Sequence, residues 1–135
     1  MIRYLLDTDV CIEAVRGRAP GLLPRLRRRR LGLIGISAIT LAELQFGVAR
    51  SAHPARNTAA LLHLCAPLEI LPFDDDAASA YGRIRAGLER SGKPIGPLDT
   101  LIAAHAVALG AVVVTGNTHE FGRVPGLRVE NWARA

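Results

Sequence analysis

The sequence predicts a single α/β domain with a largely parallel sheet and helices on both faces. Three observations carry that expectation. Short aliphatic runs alternate with helical stretches from end to end, the pattern of successive βα units. No internal repeat and no linker-like stretch divides the chain, so residues 1–135 read as one domain. Half of the residues are apolar, enough for a well-filled core, and a chain of this length buries roughly two-thirds of its unfolded surface.

The elements follow in order. Residues 2–6 are a buried strand that stops at Asp7, and 8–16 are a short helix closed by Gly17. A helix flanked by proline and glycine then runs through "RLRRRR". "LGLIGIS" (31–37) is the second strand, 39–51 a helix, and 54–65 another. "LEILPF" (68–73) is the third strand, followed by a helix over 74–92. Asp74, Asp75 and Asp76 at its start suit capping and the helix dipole. Over 96–110, Pro97 fits a first helical position and Gly110 a C-terminal stop. "AVVVT" (111–115) is β-branched enough to be a central strand, and "LRVEN" (127–131) is a short last one.

Composition narrows the function classes. No apolar run reaches the roughly 18 residues of a membrane span. The chain enters "IRYLLD" without a secretory leader, so a cytoplasmic, reduced protein is expected. Cys11 and Cys65 read as thiols, with no metal-type cysteine spacing. No Walker or G-x-G-x-x-G loop is present, which argues against ATP or dinucleotide chemistry. The net charge of +5 is almost wholly arginine, Lys93 being the only lysine. Within it, Arg25, Arg27, Arg28, Arg29 and Arg30 form a basic run that fits either a solvated helix face or a phosphate-contacting patch. Aromatic residues are only 4% of the chain. Base-stacking platforms are therefore not evident, and recognition of a folded RNA by shape and backbone fits better.

Parallel α/β sheets bind ligands outside the carboxyl ends of their strands. Asp7 stands at that end of the first strand and Ser37 at that end of the second. Glu43 lies about one turn into the helix that follows. Thr115 ends the central strand, with Asn117 and Glu120 in the loop beyond. The helix starting at Pro97 runs antiparallel to the strand it feeds, which returns Asp99 to the same edge. Asp7, Glu43, Asp99 and the 115–120 loop should therefore converge.

Each acid also has a plain reading. Asp99 suits the first turn of a helix, Glu43 follows Thr40 at capping-box spacing, and Asp7 suits a strand-to-helix turn. Their apolar surroundings, however, predict partial burial, and gathered carboxylates disfavour ionisation through desolvation and repulsion. Protonation, an arginine or a hard divalent cation could relieve this. All-oxygen ligation with retained waters suits Mg²⁺ or Mn²⁺. In a basic protein such a site points to phosphodiester hydrolysis.

Together "YLLDTDV", "ISAITLAELQFGV", "LPFDDDAASAYGRIRAGLERSGKPIGPLDTLIAAHAVALG", "VVVTGNTHEF" and "RVPGLRVENW" resemble the PIN-domain ribonucleases, most closely the VapC toxins of type II toxin–antitoxin systems. The resemblance covers nearly the whole chain. It implies a three-layer α/β/α sandwich, a homodimer, Mg²⁺- or Mn²⁺-dependent endoribonuclease activity on tRNA or another structured RNA, and a cognate VapB-like antitoxin that occludes the site. By position, Asp7 and Asp99 match the principal metal ligands, with Glu43 acting on the metal directly or through water. Thr8, Ser37 and Thr115 match the supporting hydroxyl residues. One departure stands out: many relatives have T-x-D-x-x-D-F after the last central strand, where this chain has Asn117 and Glu120. The asparagine can coordinate or fix a water but adds no charge, which favours one firm metal ion.

Other readings are weaker. "DTDV", with Asp7 and Asp9, also resembles the nucleophile motif of haloacid-dehalogenase phosphatases. That chemistry needs a placed lysine and a larger chain, so Asp9 is better read as a first-turn helix charge. His105 reads as a satisfied core or interface histidine, and His119 as a candidate substrate contact. The rival function is a catalytically silent domain of the same fold that only binds RNA or protein.

Overall fold

The structure is a computed structural model and describes residues 1–29 and 32–132. Its strands are β1 (Tyr4–Leu6), β2 (Ile34–Ser37), β3 (Glu69–Leu71), β4 (Val112–Val114) and β5 (Val129–Glu130). Its helices are α1 (Thr8–Val15), α2 (Leu22–Arg28), α3 (Ala38–Ala49), α4 (Pro54–Cys65), α5 (Asp75–Arg90), α6 (Pro97–Leu109) and α7 (Thr118–Phe121). The strands pair in the order β3-β2-β1-β4-β5, and every pairing is parallel. The expected parallel α/β sandwich is the fold observed.

Alternation along the strands divides the core in two, because neighbouring residues of a strand face opposite ways. Leu6, Ile34, Ile36 and Val114 pack with Cys11 of α1, Leu22 and Leu26 of α2, Leu61 and Leu64 of α4, and Trp132. Leu5 and Val113 pack on the other face with Leu88 of α5, Ile102 and Ala106 of α6, and Phe121. Helices thus cover both faces, which makes three layers. Both cysteines are free thiols. Among the described residues no helix is long and apolar enough to cross a membrane.

Local chemistry sets the element ends. The Asp74 side chain caps α5 by accepting from the Ala77 N–H at 3.0 Å, as its position in the sequence suggested. Gly110 closes α6 at φ 66°, a left-handed conformation that disfavours a side chain. At Gly35 in β2, an added Cβ would lie 2.7 Å from the Glu69 carbonyl oxygen, so glycine is what lets β3 pair this closely.

Two expectations change. Helix α3 begins at Ala38, with Ser37 as its cap, accepting from the Ile39 N–H at 3.1 Å. Thr40 is therefore inside the helix, and no Thr40–Glu43 capping box forms. The stretch after β4, read as a loop, contains the one-turn helix α7. The arginine run reaches residue 30 and the expected second strand starts at residue 31, both of which lie outside the described residues.

The topology also marks a place. From β1 the chain moves to β2 and β3 on one side, then returns to β4 on the other. The order reverses between β1 and β4, and α/β sheets hold ligands in the crevice at such a switch point.

Candidate active site

At that switch point, β1 leads directly into Asp7 and β4 into Thr115. Asp7 is 1% exposed, so each of its oxygens needs a partner. One accepts from the Thr8 N–H at 2.7 Å and the other from the Thr115 hydroxyl at 2.7 Å. The Thr115 hydroxyl accepts in turn from the Asn117 N–H at 2.9 Å. The Thr8 and Thr40 hydroxyls meet at 2.9 Å, tying the start of α1 to α3. The sequence flagged Thr8 and Thr115; Thr40, misread as a cap, had no other signal.

Asp99 enters from α6. Pro97 and Leu98 open that helix, so Asp99 stands half-buried in its first turn. Glu120 of α7 reaches across to the residue before the helix: its Oε1 accepts from the Gly96 N–H at 2.6 Å. Its Oε2 accepts from the Asn117 side-chain amide at 2.9 Å. Asn117 also caps α7, its Oδ1 accepting from the Glu120 N–H at 3.4 Å. The side chain expected to hold a metal or a water is thus engaged in shaping the turn. Nothing in the sequence signalled Gly96 as a partner.

The three acids are electrostatically distinct. Burial pushes the Asp7 carboxyl up to about 6, helped by the charges of Asp9 and Glu120 and opposed by the Thr115 and Thr8 hydrogen bonds. Burial also raises Asp99, to about 7, with the negative charges of Asp7, Glu120 and Asp9 adding to it. Glu120 is held below its ordinary value by the Asn117 and Gly96 hydrogen bonds. No described arginine or lysine forms an ion pair with Asp7 or Asp99; the charge there is uncompensated.

Glu43 is half-buried on α3, three residues beyond Thr40. It lines a groove of about 260 Å³ with Arg16 of α1, Asn57 of α4, and Phe46 and Arg50 of its own helix. Phe46 is 60% exposed, with the Arg50 guanidinium 5.3 Å from its ring.

Other residues take plainer places. Asp9 is an exposed first-turn acid of α1. His119 is exposed, 3.5 Å from an Arg123 nitrogen. His105 is buried on α6 against Phe73, but its Nδ1 has no hydrogen-bond partner among the described residues. It is a core histidine, and not a fully satisfied one.

The donor set suits a hard divalent cation. Two carboxylates, one buried and the other raised by its charge, with no described cationic side chain between them, are relieved by an ion that keeps both charged. Among the described residues, no three His, Cys, Asp or Glu side chains gather closely enough to enclose an ion by themselves. Such an open, all-oxygen set matches Mg²⁺ or Mn²⁺, which retain several waters.

Known proteins share this frame. The PIN domain family pattern matches residues 4–127. The tRNA(fMet)-specific endonuclease VapC of Shigella flexneri is 40% identical over 133 residues, 98% of this chain and all of that protein. The protein of the same name from Salmonella typhimurium is 42% identical, covering 98% and 99% of the two chains. The crystal structure of DNA-bound VapBC from Salmonella typhimurium contains a chain that superposes with a TM-score of 0.92 at 42% identity, covering 98% of this chain and 99% of that one.

Proposed function

The chain belongs to the PIN-domain family, on its VapC branch, and from that premise we propose that it is the toxin of a type II toxin–antitoxin pair and a metal-dependent endoribonuclease. The observation that supports this most directly is the pairing of Asp7 and Asp99 at the switch point without a cationic side chain. The VapC relatives bear the names of endonucleases acting on tRNA, so tRNA or another structured RNA is the substrate class we assign.

In this reading Asp7 and Asp99 hold Mg²⁺, or Mn²⁺ in its place. Glu43 acts through water, since it stands one turn beyond the Thr8–Thr40 contact. When bound, the ion would polarise a water and offset the charge that builds on the phosphoryl oxygens. The protein's part is preorganisation. Thr115 and Thr8 fix the Asp7 carboxylate, and the first turn of α6 presents Asp99 toward it. Thr40 and Ser37 hold α3 against that edge. Exposed arginines outside the pocket draw in the RNA backbone that the acids alone would repel.

Partners follow from the same premise. The structural relative is a VapBC complex, and a VapB-like antitoxin that covers this edge is the partner we assign. A homodimer is the assembly we assign to the toxin.

The test is cleavage of total tRNA by the purified, antitoxin-free protein with Mg²⁺, with Mn²⁺ and with EDTA, beside Asp99→Asn. Discrete metal-dependent fragments that the variant cannot make are expected. Equal cleavage in EDTA, or by the variant, would overturn the assignment. No cleavage of any RNA by folded, metal-bound protein would favour the silent RNA- or protein-binding domain.

A further inference from the structure

We propose that Glu120 is a positioning residue, a strut that fastens the segment after β4 to the start of α6 and so serves the metal site by holding Asp99 facing Asp7. The inference rests on the reading that Asp7 and Asp99 hold the cation.

The geometry assigns both Glu120 oxygens to protein donors. Oε1 takes the Gly96 N–H at 2.6 Å and Oε2 the Asn117 amide at 2.9 Å. Asp7 is likewise bonded at both oxygens, so such bonds leave lone pairs for a cation; what they make of Glu120 is a clamp. What it clamps is the first turn that carries Asp99. The Gly96 carbonyl accepts from the Thr100 N–H at 2.9 Å and from the Thr100 hydroxyl at 2.8 Å. Gly96 is therefore held by Glu120 through its N–H and bound to α6 through its carbonyl. A second tie runs in parallel, from the Arg123 guanidinium to the Pro94 carbonyl at 3.0 Å.

The packing at Gly96 shows how close the acids stand to this clamp. A Cβ added there would lie 3.5 Å from both Asp99 Oδ2 and Glu120 Oε1. The two carboxyls flank this position and lie within hydrogen-bonding reach of each other. The departure from T-x-D-x-x-D-F also gains a reason. An asparagine at 117 can donate to Glu120 where an aspartate would repel it.

Glutamine and alanine at position 120 separate a strut from a ligand. In Glu120→Gln the side-chain amide keeps an acceptor for the Gly96 N–H, and Asn117 can turn its own amide over to accept from the new NH₂ group, giving up only the long 3.4 Å cap on the residue-120 N–H. As a metal ligand, however, an amide oxygen is a poor substitute for a carboxylate. Glu120→Ala removes both bonds.

The measurement is amide hydrogen exchange at Gly96 in the metal-free protein, paired with Mn²⁺ affinity by calorimetry, for wild type, Glu120→Gln and Glu120→Ala. Thermal melts verify that each variant is folded. Loss of a charge-assisted bond should speed Gly96 exchange about ten-fold or more in Glu120→Ala and weaken Mn²⁺ by a similar factor. Glu120→Gln should stay within about three-fold of wild type in both, less than the loss of one such bond. Glu120→Gln losing as much Mn²⁺ affinity as Glu120→Ala while Gly96 remains protected would make Glu120 a ligand and overturn the proposal. Unchanged Gly96 exchange in Glu120→Ala would overturn it as well. If wild type binds no Mn²⁺, the reading of the metal site fails, while Gly96 exchange still decides whether the strut exists.

Discussion

At the carboxyl edge of the sheet, the charge of Asp7 raises Asp99, and no described arginine or lysine is paired to either. In α2 and at its end the arginines meet other fates. The Arg29 guanidinium lies 4.1 Å from the Trp132 ring and 5.0 Å from that of Tyr4, and its Nη1 donates to the Arg25 carbonyl at 3.2 Å. Arg25 is half-buried and partnered, while Arg27 and Arg28 are exposed. Arg30 lies outside the described residues. Both regions are dense in charge, yet part of the basic run is absorbed into packing while the acidic pair stays uncompensated. A charge run in sequence is weak testimony of function because long arginine stems readily cover apolar surface. A carboxylate at a strand end is stronger, because the topology, and not the side chain, decides where it goes.

The largest expected effect breaks the acidic side of that contrast. Asp7→Asn and Asp99→Asn should each lower RNA cleavage about a thousand-fold or more, as lost transition-state electrostatics do, with unchanged circular dichroism. Cleavage within about ten-fold of wild type in either variant would detach that residue from the chemistry.

The next effect is on stability. Asp7 and Asp99 have folded-state values of about 6 and about 7, above the ordinary 3.8. The folded protein therefore binds more protons than the unfolded chain between about pH 4 and 7, and these acids favour folding most at low pH. Metal-free protein should lose that contribution as pH rises from about 4 through 7, and Mn²⁺ should restore it. Asp7→Asn should stabilise the metal-free protein at pH 8 by about 1–2 kcal/mol. His105 acts in the opposite sense, since burial lowers its value and its contribution is lost as pH falls below about 6.5. Melting curves across pH for wild type, Asp7→Asn and His105→Leu would separate the two. A metal-free melting temperature that does not decline from pH 5 to 8 in the His105→Leu background would contradict the uncompensated pair.

Smaller effects sharpen the basic side. Arg29→Ala should cost about 1–2 kcal/mol through lost stacking and stem packing. Joint replacement of Arg27 and Arg28 by alanine should shift stability by no more than about 0.5 kcal/mol. If that exposed pair touches RNA backbone, the same change should lower the salt slope of binding by about 1–2. Denaturant unfolding and binding at graded salt check both, and a larger stability loss in the double variant than in Arg29→Ala would reverse the contrast.

How much could be read beforehand follows the same division. The strand runs and the Pro97 and Gly110 boundaries are local signals, so the parallel sheet and the convergence of Asp7, Thr115 and Asp99 on one edge were legible. Glu43 was harder, because the orientation of the whole helix decides which neighbours its side chain meets: it lines the groove with Arg16 and Arg50. The Glu120–Gly96 bond joins residues 24 apart through two backbone turns, and no periodicity encodes such a contact.

The central claim is that a divalent cation, and no side chain, neutralises Asp7 and Asp99. Calorimetric titration of the metal-free protein with Mn²⁺ at about pH 6.5, in two buffers of different ionisation enthalpy, tests it most directly. The account predicts one firm site, release of about one proton as the half-protonated pair ionises, and loss of both signals in Asp99→Asn. Binding that releases no proton and persists unchanged in Asp99→Asn, or two tight sites in the absence of RNA, would contradict it.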